Sequence, residues 1–405
     1  MKRSLLPLAL LAPTLSLAVG YRIPEQSIRS TGTAAAYTST SEHADSVYFN
    51  PANMSFLKGN WLFETGIRFI YLPKINFSGE VYDPIRKTYV QVKSDSSAES
   101  HIVPYFHLVF PEYRGFRFGI SFVTPGGLSK KWDEFPASTY AKEFTLKIYE
   151  LDFATSYKLS RNFAVGGGLR AVYASGKVKL LYPGVYELKL DGDTDVKPAY
   201  YLSLTYKLFE NITLSALYRS KVDLDIKGDA RGYIGTYKVD TSGNVSIPLP
   251  AELRLSASYK LRNTTFEFTL ERTFWSSYDY LNFNYNDQVV ENQFGKPQEK
   301  DWEDVNTYRF GLMHRFNDKF EGMLGIAYSE SPIPTKSLGF ELPEPKSVWI
   351  LSLGGIYNIT KNWEVGFAYL YLTENDRGVN NQRIRNGEFS NISAHLITLS
   401  VGARF

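Results

Sequence analysis

The sequence predicts an all-β protein, a 14-stranded antiparallel transmembrane β-barrel with an N-terminal hatch plugging its lumen. Three observations carry that expectation. Short segments alternate apolar and polar residues at period two, the connections between them alternate long and short, and about forty small or polar residues precede the first strand.

Composition agrees with strands. Aromatic residues make up 15%, with 29 Tyr and 27 Phe, while charged residues are held to 21% and Met to four. Aromatic and β-branched side chains fit a pleated, half-buried surface. The formal net charge of +3 is too balanced for a nucleic-acid footprint, so no nucleic-acid partner is expected.

The chain opens on a targeting segment. Lys2 and Arg3 form a basic start, Leu5 to Leu17 is apolar, and Ser16-Leu17-Ala18 or Ala18-Val19-Gly20 supplies the small-x-small pattern of a cleavage site. A signal peptide over 1–20 is therefore expected, cut after Ala18 or after Gly20. No later apolar run approaches the length of a membrane-spanning helix. Residues 21–58 then form the hatch and 59–405 the barrel.

The alternation places strands at 61–72, 101–110, 116–125, 147–157, 163–181, 198–206, 212–226, 250–259, 264–275, 307–315, 320–329, 347–357, 363–372 and 394–405. Seven long connections lie at one end and six tight turns at the other. Lipid explains such regularity: an unpaired backbone amide costs several kcal/mol there, so a sheet spans only if it closes on itself. Bacterial barrels put short turns in the periplasm and long loops outside. A soluble sandwich would also alternate, but it has no reason to sort its loops by length.

Facing follows from parity. Ile397, Leu399, Val401, Ala403 and Phe405 share one side of the last strand, as do Trp61, Phe63, Thr65, Ile67, Phe69 and Tyr71 in the first, and these are the lipid faces. The opposite parity sends Glu64, Arg68, Arg117, Glu150, Asp152, Arg170, Arg219, Glu252, Arg254, Glu267, Glu271, Arg309 and Arg315 into the lumen. Near-equal numbers of acids and bases imply pairing across strands and with a plug.

The residues offer no enzyme chemistry. Cysteine is absent, and His43, His101, His107, His314 and His395 are scattered without ligand spacing, so neither a metal site nor a cofactor is expected. There is no nucleophile elbow or phosphate loop. Gly166-Gly167-Gly168 lies within a strand and reads as close packing. Asp191-Gly192-Asp193-Thr194-Asp195 lacks the later Glu of a calcium loop and reads as a solvated turn.

The segment before the barrel carries Asn50-Pro51-Ala52 after a stretch of small residues and Asp45. In order along the chain follow Thr124-Pro125-Gly126-Gly127-Leu128 with Trp132-Asp133, Phe274-Trp275-Ser276-Ser277-Tyr278, and Tyr328-Ser329-Glu330-Ser331-Pro332-Ile333-Pro334. Together these resemble the FadL/TodX family of outer-membrane transporters over nearly the whole mature chain. The resemblance implies transport of long-chain fatty acids or related hydrocarbons across the bacterial outer membrane. It further implies capture at external loops, a shift of the hatch, and sideways exit of the ligand where the third strand kinks inward. It makes Asn50, Pro51 and Ala52 the hatch motif and puts the kink at or above Gly119, toward Thr124, Pro125 and Gly126. Gly119 reads equally as an ordinary small lumen-facing residue.

The chain departs from the fatty-acid pattern at Ser175, where such members tend to carry a base; Arg170 or Lys177 is the expected substitute for binding a ligand carboxylate. The connections 182–197 and 227–249 are also shorter than the family's capture loops. Expected partners are a hydrophobic small molecule and the surrounding outer-membrane lipid and lipopolysaccharide, with the protein a monomer. The alternative is a passive polar porin, against which the forty-residue plug argues.

Overall fold

The computed structural model describes residues 20–405, so the expected signal peptide, 1–20, lies outside the described residues except for Gly20. Fourteen strands form one closed wall: β1 (Leu62–Leu72), β2 (Glu99–Val109), β3 (Phe116–Lys130), β4 (Glu143–Lys158), β5 (Phe163–Tyr182), β6 (Lys197–Phe209), β7 (Ile212–Arg219), β8 (Glu252–Leu261), β9 (Thr264–Thr273), β10 (Val305–Arg315), β11 (Phe320–Glu330), β12 (Ser347–Asn358), β13 (Trp363–Val379) and β14 (Ile384–Arg404). Each pairs antiparallel with the next. The ring shuts where β14 pairs with β1, from Leu62↔Arg404 to Tyr71↔His395. Closure leaves no open edge in lipid.

The faces follow the parity of the sequence. Ile67, Phe69, Leu399 and Val401 stand exposed on the outside, while Thr398 and Ser400 are buried inside. Of the thirteen charges assigned to the lumen, twelve are buried. Arg315 is the exception, exposed at the end of β10 on the wall of a periplasmic vestibule.

One expectation about the outer end needs correction. The seventh strand was expected to run to residue 226, yet the wall strand β7 ends at Arg219, and Val222–Ile234 pairs instead with Tyr237–Leu249 in an external hairpin. Apolar alternation continues across Ser220, so periodicity could not mark the break. The long connections carry strands of their own: Asn76–Asp83 with Thr88–Asp95 forms another hairpin, and Tyr186–Asp193 pairs with β5. These extensions enclose an apolar core outside the membrane that includes Trp132, Trp275, Trp302, Phe340 and Phe389.

The N-terminal segment fills the lumen beneath that core. Its helices are short: Ile28–Gly32, capped by Ser27, then Ser46–Phe49, then a 3-10 turn Pro51–Phe56 that Pro51 begins. Helices this short do not hold themselves in water. Their stability comes from the wall, since nearly every residue from Gly20 to Ser55 is buried.

Candidate functional site

Several polar contacts order the hatch and dock it to the wall. Asn50 donates to the Thr38 carbonyl at 3.0 Å and to Thr205 Oγ1 at 2.8 Å, and the Ala52 amide donates to Ser203 Oγ at 2.9 Å. Pro51 and Ala52 press so closely on β5 that a Cβ on Gly166 would lie 2.4 Å from the Ala52 nitrogen. Across the lumen, Glu267 accepts from the amides of Thr38, Ser39 and Thr40 at 2.5, 3.0 and 2.8 Å and from Thr40 Oγ1 at 2.5 Å. Arg22 pairs with Glu252 and, at 2.9 Å, with Glu271.

The wall has a break beside the hatch. β2 and β3 pair from Val109↔Gly119 only as far as Phe106↔Phe122. Beyond that point β3 carries a bulge, since Val123 faces Glu150 and Gly126 faces Ile148, leaving Thr124 and Pro125 against the single residue Tyr149. Gly119 sits in regular register below the break. A Cβ there would lie 2.3 Å from Val47 Cγ2, so this glycine makes room for the hatch.

Pro104 marks the same level on β2. The Phe110 amide donates toward β3, to the Phe118 carbonyl at 2.9 Å. Amides alternate sides along a strand, so the Pro104 nitrogen also faces β3 and has no hydrogen to give.

The hatch takes over as partner of the freed strand. Gln26 Nε2 donates to the Thr124 carbonyl at 2.8 Å and its Oε1 accepts from the Thr124 amide at 3.3 Å. The Ile23 amide then reaches the Pro125 carbonyl, and the Gly127 amide reaches the Tyr21 carbonyl, both at 2.8 Å. Gly126 permits this approach, because a Cβ there would stand 2.7 Å from the Tyr21 oxygen. Above this window in the wall, the segment before β2 and the segment after β3 meet at the Ser96↔Trp132 bridge.

Next to the bulge lies an apolar cavity of about 30 Å³, lined by Tyr21, Leu128, Leu146, Ile247, Trp302 and Leu342 among others. That is room for a water or two. Tyr21 is the hatch's contribution, its ring centroid 4.8 Å from Trp275 and 5.8 Å from Trp302. At the opposite end, below the hatch, a polar vestibule of about 1010 Å³ opens among residues that include Glu42, Lys58, Lys207, Glu321 and Arg404.

The two expected carboxylate partners are not brought together. Arg170 is buried in the lumen, but it spends its donors on Glu150, at 2.6 and 3.0 Å, and on the Ser220 carbonyl at 2.7 Å. Lys177 stands on the outer face of β5, paired with Glu143 at 2.5 Å. The cation that lines the apolar cavity is Lys300, which the sequence reading did not single out. Gln26, Pro104 and Glu267's role as hatch anchor were likewise missed; of these, only a proline inside an alternating run was a visible signal.

A family model described as outer membrane protein transport protein (OMPP1/FadL/TodX) matches residues 9–405. The chain is 23% identical to a long-chain fatty acid transport protein of Salmonella typhi, over 88% of each chain. Its fold is similar to that of a FadL homologue from Pseudomonas aeruginosa, with a TM-score of 0.83 at 17% identity over 96% of this chain and 100% of that one. The toluene transporter TodX of P. putida gives a TM-score of 0.69 at 18% identity, over 93% and 99%.

Proposed function

The chain belongs to the OMPP1/FadL/TodX family of outer-membrane transport proteins, and on that premise we propose how it passes hydrophobic small molecules, fatty acids or hydrocarbons, through the outer membrane. A ligand caught among the external loops enters the apolar cavity and displaces Tyr21. Loss of Tyr21 loosens the hatch tail from Thr124–Gly127, and the window between β2 and β3 becomes the sideways exit into the bilayer. The observation that carries this reading is the interrupted β2–β3 ladder, whose free edge is held by Gln26, Ile23 and Tyr21 of the hatch.

Two physical points support it. The cavity is too small for a hydrocarbon, so entry requires part of its lining to yield, and Tyr21 is the lining residue that belongs to the hatch. A sideways exit also keeps an apolar solute out of water, whereas the polar vestibule below offers it no gain in burial. A wall without open edges favours a monomer surrounded by outer-membrane lipid and lipopolysaccharide.

Cells expressing the chain are expected to take up a radiolabelled alkane or oleate faster than cells lacking it, while the purified protein shows little ion conductance in a planar bilayer. A large ohmic conductance in the unaltered protein, with no gain in uptake, would establish the polar porin instead.

A further inference from the structure

We propose that the outer cavity selects uncharged hydrophobic molecules bearing a neutral acceptor oxygen, such as a long-chain alcohol, over the corresponding carboxylates. This rests on the transport reading above and names the ligand class of the same cavity.

The cavity's own charges decide the class. Lys300 lines it with its side chain 5% exposed, and its ammonium donates to Glu341 Oε1 at 2.5 Å. Glu341 lines it too. Burial alone would raise the Glu341 carboxyl, but Lys300 and Arg383 together hold it below the usual carboxylate value, so the acid stays ionised. Arg383 is not among the lining residues and lies over the Tyr140 ring, 5.4 Å from its centroid.

An incoming carboxylate would thus find its natural partner taken. To reach Lys300 it must displace Glu341 and leave that charge buried without its partner, or else enter beside it as a second anion in an apolar site. A neutral head group meets neither penalty.

The cavity also offers a neutral donor. Trp302 is one of its walls, 5% exposed, and its indole N–H has no hydrogen-bond partner among the described residues. A buried donor without an acceptor is uncommon. A hydroxyl or carbonyl oxygen entering the cavity would satisfy it without bringing charge.

Equilibrium binding of tritiated 1-dodecanol, dodecane and laurate to the purified full chain at pH 8 tests this. The unaltered protein is expected to bind dodecanol about tenfold more tightly than laurate. Glu341→Gln frees Lys300 and is expected to raise laurate affinity by about tenfold, leaving dodecanol little changed. The double variant Lys300→Met/Glu341→Leu, which removes the pair without stranding either charge, keeps dodecanol binding and gains none for laurate. Trp302→Phe narrows the advantage of dodecanol over dodecane.

Laurate outcompeting dodecanol in the unaltered protein, or a laurate affinity that Glu341→Gln leaves alone, overturns the selectivity and spares the transport reading. Binding of none of the three ligands by a folded barrel sinks that reading itself.

Discussion

Glu267→Ala is expected to convert a poorly conducting barrel into a leaky one, seen as a several-fold rise in single-channel conductance with the wall still assembled. The carboxylate holds the turn Thr38–Thr40 through four donors from the hatch and is itself fixed by Ser256 Oγ at 2.6 Å and Thr269 Oγ1 at 2.9 Å. A hydrogen bond to a charged group contributes about 1.5–3 kcal/mol net, and stranded buried donors add their own cost. Loss of about 3 kcal/mol shifts a docking equilibrium roughly a hundredfold. Glu267→Gln keeps one acceptor oxygen but turns an amide donor toward other donors, so it should leak as well, though less. Limited proteolysis gives a second readout, with the hatch of Glu267→Ala cut while the barrel resists. Unchanged conductance and an intact hatch would show that Glu267 does not anchor the plug.

The second large effect concerns the window. Deleting Pro125 removes the extra residue that bulges β3, and Pro104→Val returns the missing amide on β2. Together they should let the β2–β3 ladder run on past Phe106↔Phe122, and uptake of a hydrophobic ligand should fall at least about tenfold. Binding in the outer cavity should survive, because most of its lining comes from other strands and loops. Normal uptake by a chain whose hydrogen exchange shows β2 and β3 fully paired would exclude the window as the exit. If Pro104→Val alone already slows uptake, the missing amide of β2 contributes in its own right.

Much of the wall was legible because lipid imposes a simple rule on every residue that crosses it. Trp61, Ile67 and Phe69 outward, with Glu64 and Arg68 inward, need only period two. The same rule would have separated the two expected carboxylate partners: Arg170 and Lys177 differ by an odd number of positions on an unbroken strand, so they cannot share a face. The end of β7 at Arg219 was hidden because Leu224 and Ile226 continue the alternation into an external hairpin that buries the same kind of face.

The working parts were less legible for a different reason. Gln26, Glu267 and Lys300 act through partners 98, 229 and 41 residues away. Nothing local distinguishes them from other polar residues. Asn50, Pro51 and Ala52 were singled out through resemblance, and their contacts with Thr205, Ser203 and Gly166 give that motif a physical basis in close packing against β5 and β6.

The path of the ligand is tested most directly by photo-crosslinking. A hydrocarbon chain carrying a diazirine would be added to membranes containing the protein, irradiated during uptake, and its adducts mapped by mass spectrometry. Expected are adducts on Val103, Tyr105, Val123 and Leu128, along the window and the cavity beside it. Adducts confined to Phe56, Leu57, Phe320 and Ile356, on the walls of the periplasmic vestibule, would mean that the molecule leaves through the bottom of the barrel and not through its side.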